Sequence, residues 1–337
     1  MKNRRFLLVG SDFEPFCMAL YGQGGIHIPK ICADGGVRFA HPVEGELPDL
    51  SLIRTILPLK KYLFPPKDKV LSYSQDNGYQ PVEYNSGKLL IFGVHPCDLA
   101  AISYLDKIFL NGEPDAFYLP RRKSLALIGV SCMPDKYCSC GDIASPMPAD
   151  CDIFLYKIET GYMVSCESDE GSAILSPLSP FLHETDILPP ESTRDNFSLN
   201  SVEKFPDDLS GVSSELQEMA RSCLGCGACS ICCPTCYCFD LLELPSLNGE
   251  RAERFRIWDN CLYQSHAEVA GGYNFRKART ERFDYRYRHK YLGFGQLQGI
   301  MSCVGCGRCI ANCPAGLDLR PLACKALKES SHAATSP

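Results

Sequence analysis

Eight cysteines in two runs of identical spacing carry the chemistry of this sequence. Cys223-x2-Cys226-x2-Cys229-x3-Cys233-Pro234 is the first run and Cys303-x2-Cys306-x2-Cys309-x3-Cys313-Pro314 the second. Thiolates at this density suit iron–sulfur cores, because soft sulfur donors match the metal and four of them complete one cluster. The spacing is that of two-cluster bacterial ferredoxins, where three close cysteines hold one [4Fe–4S] cluster and the fourth crosses to the other. Applied here, the crossing rule groups Cys223, Cys226 and Cys229 with Cys313, and Cys303, Cys306 and Cys309 with Cys233. Gly225, Gly227, Gly305 and Gly307 allow tight loops around the sulfurs. Zinc competes for C-x2-C pairs, but a zinc ribbon would leave the third and fourth cysteine of each run idle. Cys229-x3-Cys233-x2-Cys236 also fits the spacing of a radical-chemistry cluster. That chemistry needs a barrel of repeated β/α units downstream, and a second cysteine run follows instead.

A third iron–sulfur site is expected from Cys97, Cys132, Cys138 and Cys140. Cys97 follows an apolar run ending at Val94, and Cys132 follows another ending at Val130. If a helix between them makes the two strands parallel, both thiols emerge at the carboxyl edge of the sheet, where open α/β folds place ligands. Cys138 and Cys140 follow within loop reach, and four thiols match the ligand count of a [4Fe–4S] cluster or of a zinc site. Cys232, Cys236, Cys238 and Cys261 read as buried thiols packed against a cluster.

Positioning these groups takes a chain of 337 residues, 45% hydrophobic and 22% charged, enough for two domains. The class is α+β: an N-terminal α/β domain, then a ferredoxin-like two-[4Fe–4S] domain with a long insertion. Residues 1–175 hold short apolar runs bounded by Gly/Pro turns, such as 88–94 and 124–130, which read as buried strands. Between them, Asp98–Phe109 has helical periodicity with Asp98 as N-cap. Residues 153–156 and 162–164 read as a hairpin at the sheet edge. Residues 176–210 read as a Pro-rich linker, 211–327 as the dicluster domain and 328–337 as a disordered tail.

The net charge of −6 argues against a nucleic-acid partner. No apolar run approaches the ~18 residues of a membrane span. Arg4-Arg5 precede an apolar stretch too short for an export signal, so the start reads as a first strand and the protein as cytoplasmic. In a reducing compartment, 21 cysteines point to metal or redox chemistry, not to disulfides. The 69 residues between Cys233 and Cys303 exceed what a minimal ferredoxin needs. They concentrate Arg276, Lys277, Arg279, Arg282, Arg286, Arg288 and Lys290 among aromatic residues, a segment expected to pack on clusters and to grip an acidic partner through Arg282 and Arg286. Tyr21–Ile26 reads as a turn, and His95, His266 and His289 as structural.

The stretch from Arg221 to Pro314 resembles a known family. Besides both runs it contains Cys233-Pro234-Thr235-Cys236-Tyr237-Cys238, Trp258-Asp259-Asn260-Cys261, Ala270-Gly271-Gly272-Tyr273-Asn274-Phe275-Arg276 and Glu281–Lys290. Upstream, Gly93-Val94-His95-Pro96-Cys97-Asp98-Leu99-Ala100-Ala101-Ile102 matches too. Together these are similar to the iron–sulfur subunit of anaerobic sulfite reductase and the β subunit of cytoplasmic sulfhydrogenases, over most of the chain from about Lys88. The resemblance implies a non-catalytic electron-transfer member of an anaerobic oxidoreductase complex. Its electrons would pass between a catalytic redox partner, of sulfite reductase, hydrogenase or heterodisulfide-reductase type, and a flavin- and NAD(P)-binding subunit. Two other classes compete: an enzyme using an open-iron cluster as Lewis acid, and a structural zinc scaffold. Two complete four-cysteine sets favour the relay, since a Lewis-acid cluster keeps three protein ligands.

Overall fold

The computed structural model describes residues 2, 4–84, 87–140, 151–189, 213–293 and 302–322. In chain order its strands are β1 (Arg5–Val9), β2 (Ile26–Ile31), β3 (Val37–Ala40), β4 (Lys67–Ser74), β5 (Gly78–Pro81), β6 (Leu89–Val94), β7 (Leu125–Val130), β8 (Ile153–Ile158), β9 (Gly161–Cys166), β10 (His183–Glu184), β11 (Phe239–Pro245) and β12 (Arg251–Trp258). The chain divides into two compact units. The first draws on residues 1–58, 85–136 and 146–195, and the second on 59–84, 137–145 and 196–337.

The first unit is one sheet in the order β10-β1-β9-β8-β7-β6-β2-β3. Its centre, β2, β6, β7 and β8, is parallel. Parallel strands covered on both faces read as unbroken apolar runs, and all six residues of β7 are buried. The helix Pro96–Leu110 makes the crossover from β6 to β7. It starts before the expected Asp98 cap. His95 is the extended N-cap and Pro96 takes the first turn, where its fixed φ suits the helix and its missing N–H is no loss. Leu8, Phe16, Leu20, Ile26, Ile28, Phe92, Ile128 and Leu155 form the core, each side chain contributing about 1.5–3 kcal/mol on burial.

Two expectations change here. The β8–β9 hairpin is interior, because β1 adds antiparallel to β9 and β10 to β1. The expected linker starts as packed structure: Leu178 and Leu182 lie in the core, on and just after the turn Ser176–Phe181. Residues 190–212 and 323–337, which include most of that linker and the whole expected tail, lie outside the described residues.

The second unit contains a four-stranded antiparallel sheet, β11-β12-β4-β5. β11 and β12 come from the insertion between the cysteine runs. β4 and β5 come from residues 67–81, inside the stretch expected to be α/β, so the unit boundaries do not follow the linear division at 175. Side-chain pairing fixes this match. Arg256 of β12 and Asp68 of β4 form a buried ion pair at 3.2 Å, and Trp258 Nε1 donates to Phe64 O at 2.8 Å. The helices Ser213–Ser222 and Arg279–Arg288 meet over a core that includes Leu216, Ala220, Leu262, Phe283 and Tyr287.

Candidate metal centres

The two cysteine runs fold alike. Gly225 and Gly305 take φ of 68° and 65°, and Gly227 and Gly307 take 78° and 73°, a left-handed region that glycine enters without strain. The second glycine of each run starts a single helical turn, Ala228–Ile231 and Arg308–Ala311, which carries the third cysteine. Other parts of the chain press on these loops. Asn260, fully buried, donates Nδ2 to Gly227 O at 2.7 Å, and a Cβ on Gly227 would stand 2.2 Å from that nitrogen. Over the second run, Ser139 N–H donates to Gly305 O at 2.8 Å. A Cβ on Gly305 or Gly307 would come within 2.5 Å of the backbone of Cys140 or Tyr137. Gly227, Gly305 and Gly307 are therefore needed for close approach as well as for conformation, and Gly225 for conformation.

Cys223, Cys226, Cys229, Cys233, Cys303, Cys309 and Cys313 line one void, walled by Leu262, Phe283, Tyr287 and Tyr291. Burial raises the thiols of Cys223, Cys303 and Cys309, and neighbours from the other run add to it: Cys313 beside Cys223, and Cys233 beside Cys303 and Cys309. A buried knot ties the two runs together. Thr235 Oγ1 donates to Ser302 O at 2.5 Å and accepts from Lys290 Nζ at 2.9 Å, while Lys290 also reaches Ser302 O at 3.2 Å. The segment after Cys233 is thus tied to the residue before Cys303. Among the described residues no three His, Cys, Asp or Glu side chains converge as ligands of a single ion. The thiols surround a larger space, and soft donors around a mostly apolar void fit iron–sulfur cores.

Arg282 and Arg286, expected to grip an acidic partner, are buried instead at 8% and 6% exposure, and Lys290 is buried at 6%. The reason is the placement of their helix against the cysteine loops. Arg282 donates to Leu262 O at 2.8 Å and to Lys277 O at 2.6 Å. Arg286 donates to Cys229 O at 2.6 Å, Ser230 Oγ at 2.7 Å and Cys236 Sγ at 3.4 Å. Burial disfavours its charge, but the surrounding thiols Cys229, Cys236, Cys233 and Cys261 outweigh that and raise its pKa. Lys60, with no signal in the sequence, joins them: its Nζ donates to Cys236 O at 2.9 Å and sits 4.1 Å from the Trp258 ring centre. Buried cations beside thiol ligands offset the negative charge that a four-thiolate cluster carries. Lys277, Arg279 and Arg288 remain exposed.

The three histidines serve as structural groups. His95 Nδ1 bonds Ile53 O at 2.8 Å and His266 pairs with Asp259. Burial, then Lys290 and Arg286, push His289 down to about 4. Cys97 opens the helix after β6 and Cys132 follows β7; those strands are parallel neighbours, so both thiols stand at one carboxyl edge. Cys97 and Cys132 belong to the first unit, and Cys138 and Cys140 to the second. Sequence reasoning missed Asn260, Thr235 and the 137–140 segment as supports of the loops; only Asn260 and Thr235 lay within a recognisable motif.

The family described as a 4Fe-4S dicluster domain matches residues 222–317. The sulfhydrogenase 2 subunit beta of Pyrococcus furiosus is 37% identical over 333 residues, covering 93% of this chain and 96% of that one. The chain belongs to the sulfhydrogenase beta-subunit family. No solved structure matches it. Two [4Fe–4S] clusters belong to the dicluster domain of this family member, whose thiol-lined void fits them. They supply one-electron transfer, and the protein supplies thiolates, a dry wall and buried positive charge. No helix among the described residues of the chain is long and apolar enough to cross a membrane.

Proposed function

We propose that this chain is the iron–sulfur relay subunit of a multi-subunit oxidoreductase in the cytoplasm. It passes electrons between a catalytic redox subunit and a flavin- and NAD(P)-binding one, and it has no substrate site of its own. The observation that carries the reading is a void lined by thiols of both runs. The proposed ligands are Cys223, Cys226, Cys229 and Cys313 for one cluster and Cys303, Cys306, Cys309 and Cys233 for the other. Four thiols per cluster leave no open iron for Lewis-acid chemistry. The test is redox titration of the chain with and without its native partner subunits. Reduction of both clusters by NAD(P)H, only when the flavin subunit is present, supports the relay. A spectral change caused by a non-redox substrate in the isolated chain would instead support the open-iron enzyme.

Cys226 is exposed, and so is its neighbour Leu224 at 60%. Arg279 packs its side chain beside Gly225 in the same loop and donates to Arg221 O at 3.0 Å. This favours electron exchange at the first cluster, with exposed Lys277 and Arg279 facing an acidic partner. Reversing both charges (Lys277→Glu with Arg279→Glu) is expected to slow transfer severalfold at low salt and much less at high salt, where surface charges are screened. Equal rates for variant and parent at every ionic strength would remove this face from docking.

A third [4Fe–4S] cluster belongs to the proposal on ligand type and number alone. The expected iron content of the anaerobically isolated chain is then close to ~12 per chain, four for each cluster. A fully loaded protein with ~8 irons rejects the third site.

A further inference from the structure

The chain between β12 and the helix Arg279–Arg288 forms a loop whose two ends stand on the first cysteine run. At one end the Tyr263 ring packs on Gly227, so closely that a Cβ there would lie 2.8 Å from its Cε1. At the other, Arg279 lies along Gly225 and donates to Arg221 O at 3.0 Å. Between these ends the backbone closes into a small hairpin. Val269 N–H donates to Tyr273 O at 2.9 Å, and Phe275 N–H to Ala267 O at 3.0 Å. Gly271 and Gly272 turn the tip at φ of 90° and 79°. Asn274 clamps it: Nδ2 donates to Gln264 O at 2.6 Å, and Oδ1 accepts from Arg276 N–H at 2.8 Å. The loop is a built element with its polar backbone engaged.

Two rings stand out from it. Tyr273 and Phe275 are 65% and 64% exposed, more than any other aromatic side chain among the described residues. Two residues apart on an extended arm, they project to the same side, and they meet edge to face with centroids 5.1 Å apart. Scattered exposed apolar residues need no explanation, but a paired display on a hydrogen-bonded loop does. The charge around the rings has one sign. Between Glu268 and Glu281 the chain carries Arg276, Lys277 and Arg279 and no acidic residue, in a protein of net charge −6. Glu281 itself turns back to accept from Ala278 N–H at 2.9 Å.

We infer that Tyr273 and Phe275 are the apolar anchor of docking at the first cluster, seated in an apolar socket that a redox partner subunit rims with carboxylates. The inference rests on the relay reading and on electron exchange through the exposed loop of Cys226. Aromatic anchors at the centre of an interface carry much of its affinity, while charges at its edge steer encounter. A loop already held in shape loses little freedom on binding. The basic flank selects the occupant. An acidic rim complements it, whereas a second copy pairing loop to loop would set like charges together. The two parts of the face then divide the work. Lys277 and Arg279 govern the approach and are screened by salt; the rings govern how long the partner stays and are not.

The test titrates each partner subunit, purified from the native complex, onto the anaerobic holoprotein. Tyr273→Ala with Phe275→Ala is expected to weaken binding of one subunit by roughly tenfold or more. That loss should persist at high salt, with iron content, visible spectrum and reduction by dithionite as in the parent. Equal affinity of parent and variant for every subunit overturns the inference. So does self-association of the parent that the variant loses, which would make the occupant a second copy. Hydrogen exchange of the unsubstituted protein decides the matter if the variant loses iron: the bound subunit slows the amides of 268–277 if the loop is seated, and leaves them unchanged if it is not. Failure of the relay reading looks different. Ring-dependent binding with no electron flow in the parent supports the face and rejects the relay. Electron flow that is equal in parent and variant, at equal affinity, rejects the face and leaves the relay standing.

Discussion

Replacing Cys233 by Ala is expected to remove the cluster held by Cys303, Cys306 and Cys309 while leaving its sequence neighbour in place. Iron content should fall by about four per chain. The electron paramagnetic resonance signal of the reduced protein should lose the broadening that two nearby spins produce. The geometric ground is the tie between the runs: Thr235, two residues after Cys233, bonds Ser302 and Lys290, and the Cys233 sulfur lies 3.3 Å from Thr235 Oγ1. That tie holds the Cys233 segment against the start of the second run. Cys313→Ala is the mirror experiment and should empty the set of Cys223, Cys226 and Cys229. If Cys233→Ala instead abolishes the cluster beside it in sequence, the crossed assignment is wrong.

Arg286→Met should be the most damaging change outside the cysteines. The guanidinium serves Cys229 O, Ser230 Oγ and Cys236 Sγ from a site 6% exposed. A methionine fills similar volume but leaves those acceptors buried without donors. Charge-assisted hydrogen bonds contribute about 1.5–3 kcal/mol each and do not add fully, so a loss of roughly 3–5 kcal/mol is expected. Denaturant unfolding of the holoprotein measures it. The same change removes a buried positive charge next to the proposed thiol ligands, so the neighbouring cluster should titrate at a more negative potential, because the reduced, more negative state loses its counter-charge. Arg286→Lys should restore charge but not stability, since one ammonium cannot span three acceptors set around a planar fork. Arg279→Met, on the exposed end of the same segment, is the control and should leave stability nearly unchanged. Equal stability of Arg286→Met and Arg279→Met would show that the buried network contributes nothing.

The sequence by itself determined the parts of this protein whose chemistry is local. Three cysteines at fixed short spacing, with left-handed glycines between them, form a local loop whose pattern is written in the sequence, so both runs were legible, and the dicluster family match over 222–317 agrees with them. The strands 89–94 and 125–130 and the helix between them were legible for the same reason, since a buried parallel strand writes itself as an apolar run. What the tertiary structure alone decided is everything that depends on a distant partner. Residues 67–81 join the insertion's hairpin instead of the sheet around them, because strand pairing is set by side chains across the ladder, such as Asp68 against Arg256, and not by sequence neighbours. The basic segment changed meaning in the same way. Arg282 and Arg286 read in one dimension as a grip for an acidic partner, yet the helix and the turn after it bring them and Lys290 inward onto carbonyls and side chains that supply the hydrogen bonds a buried cation requires. Lys60 carries no local pattern at all. Its role exists only because a single helical turn, far away in sequence, brings its ammonium onto Cys236 O and the face of Trp258.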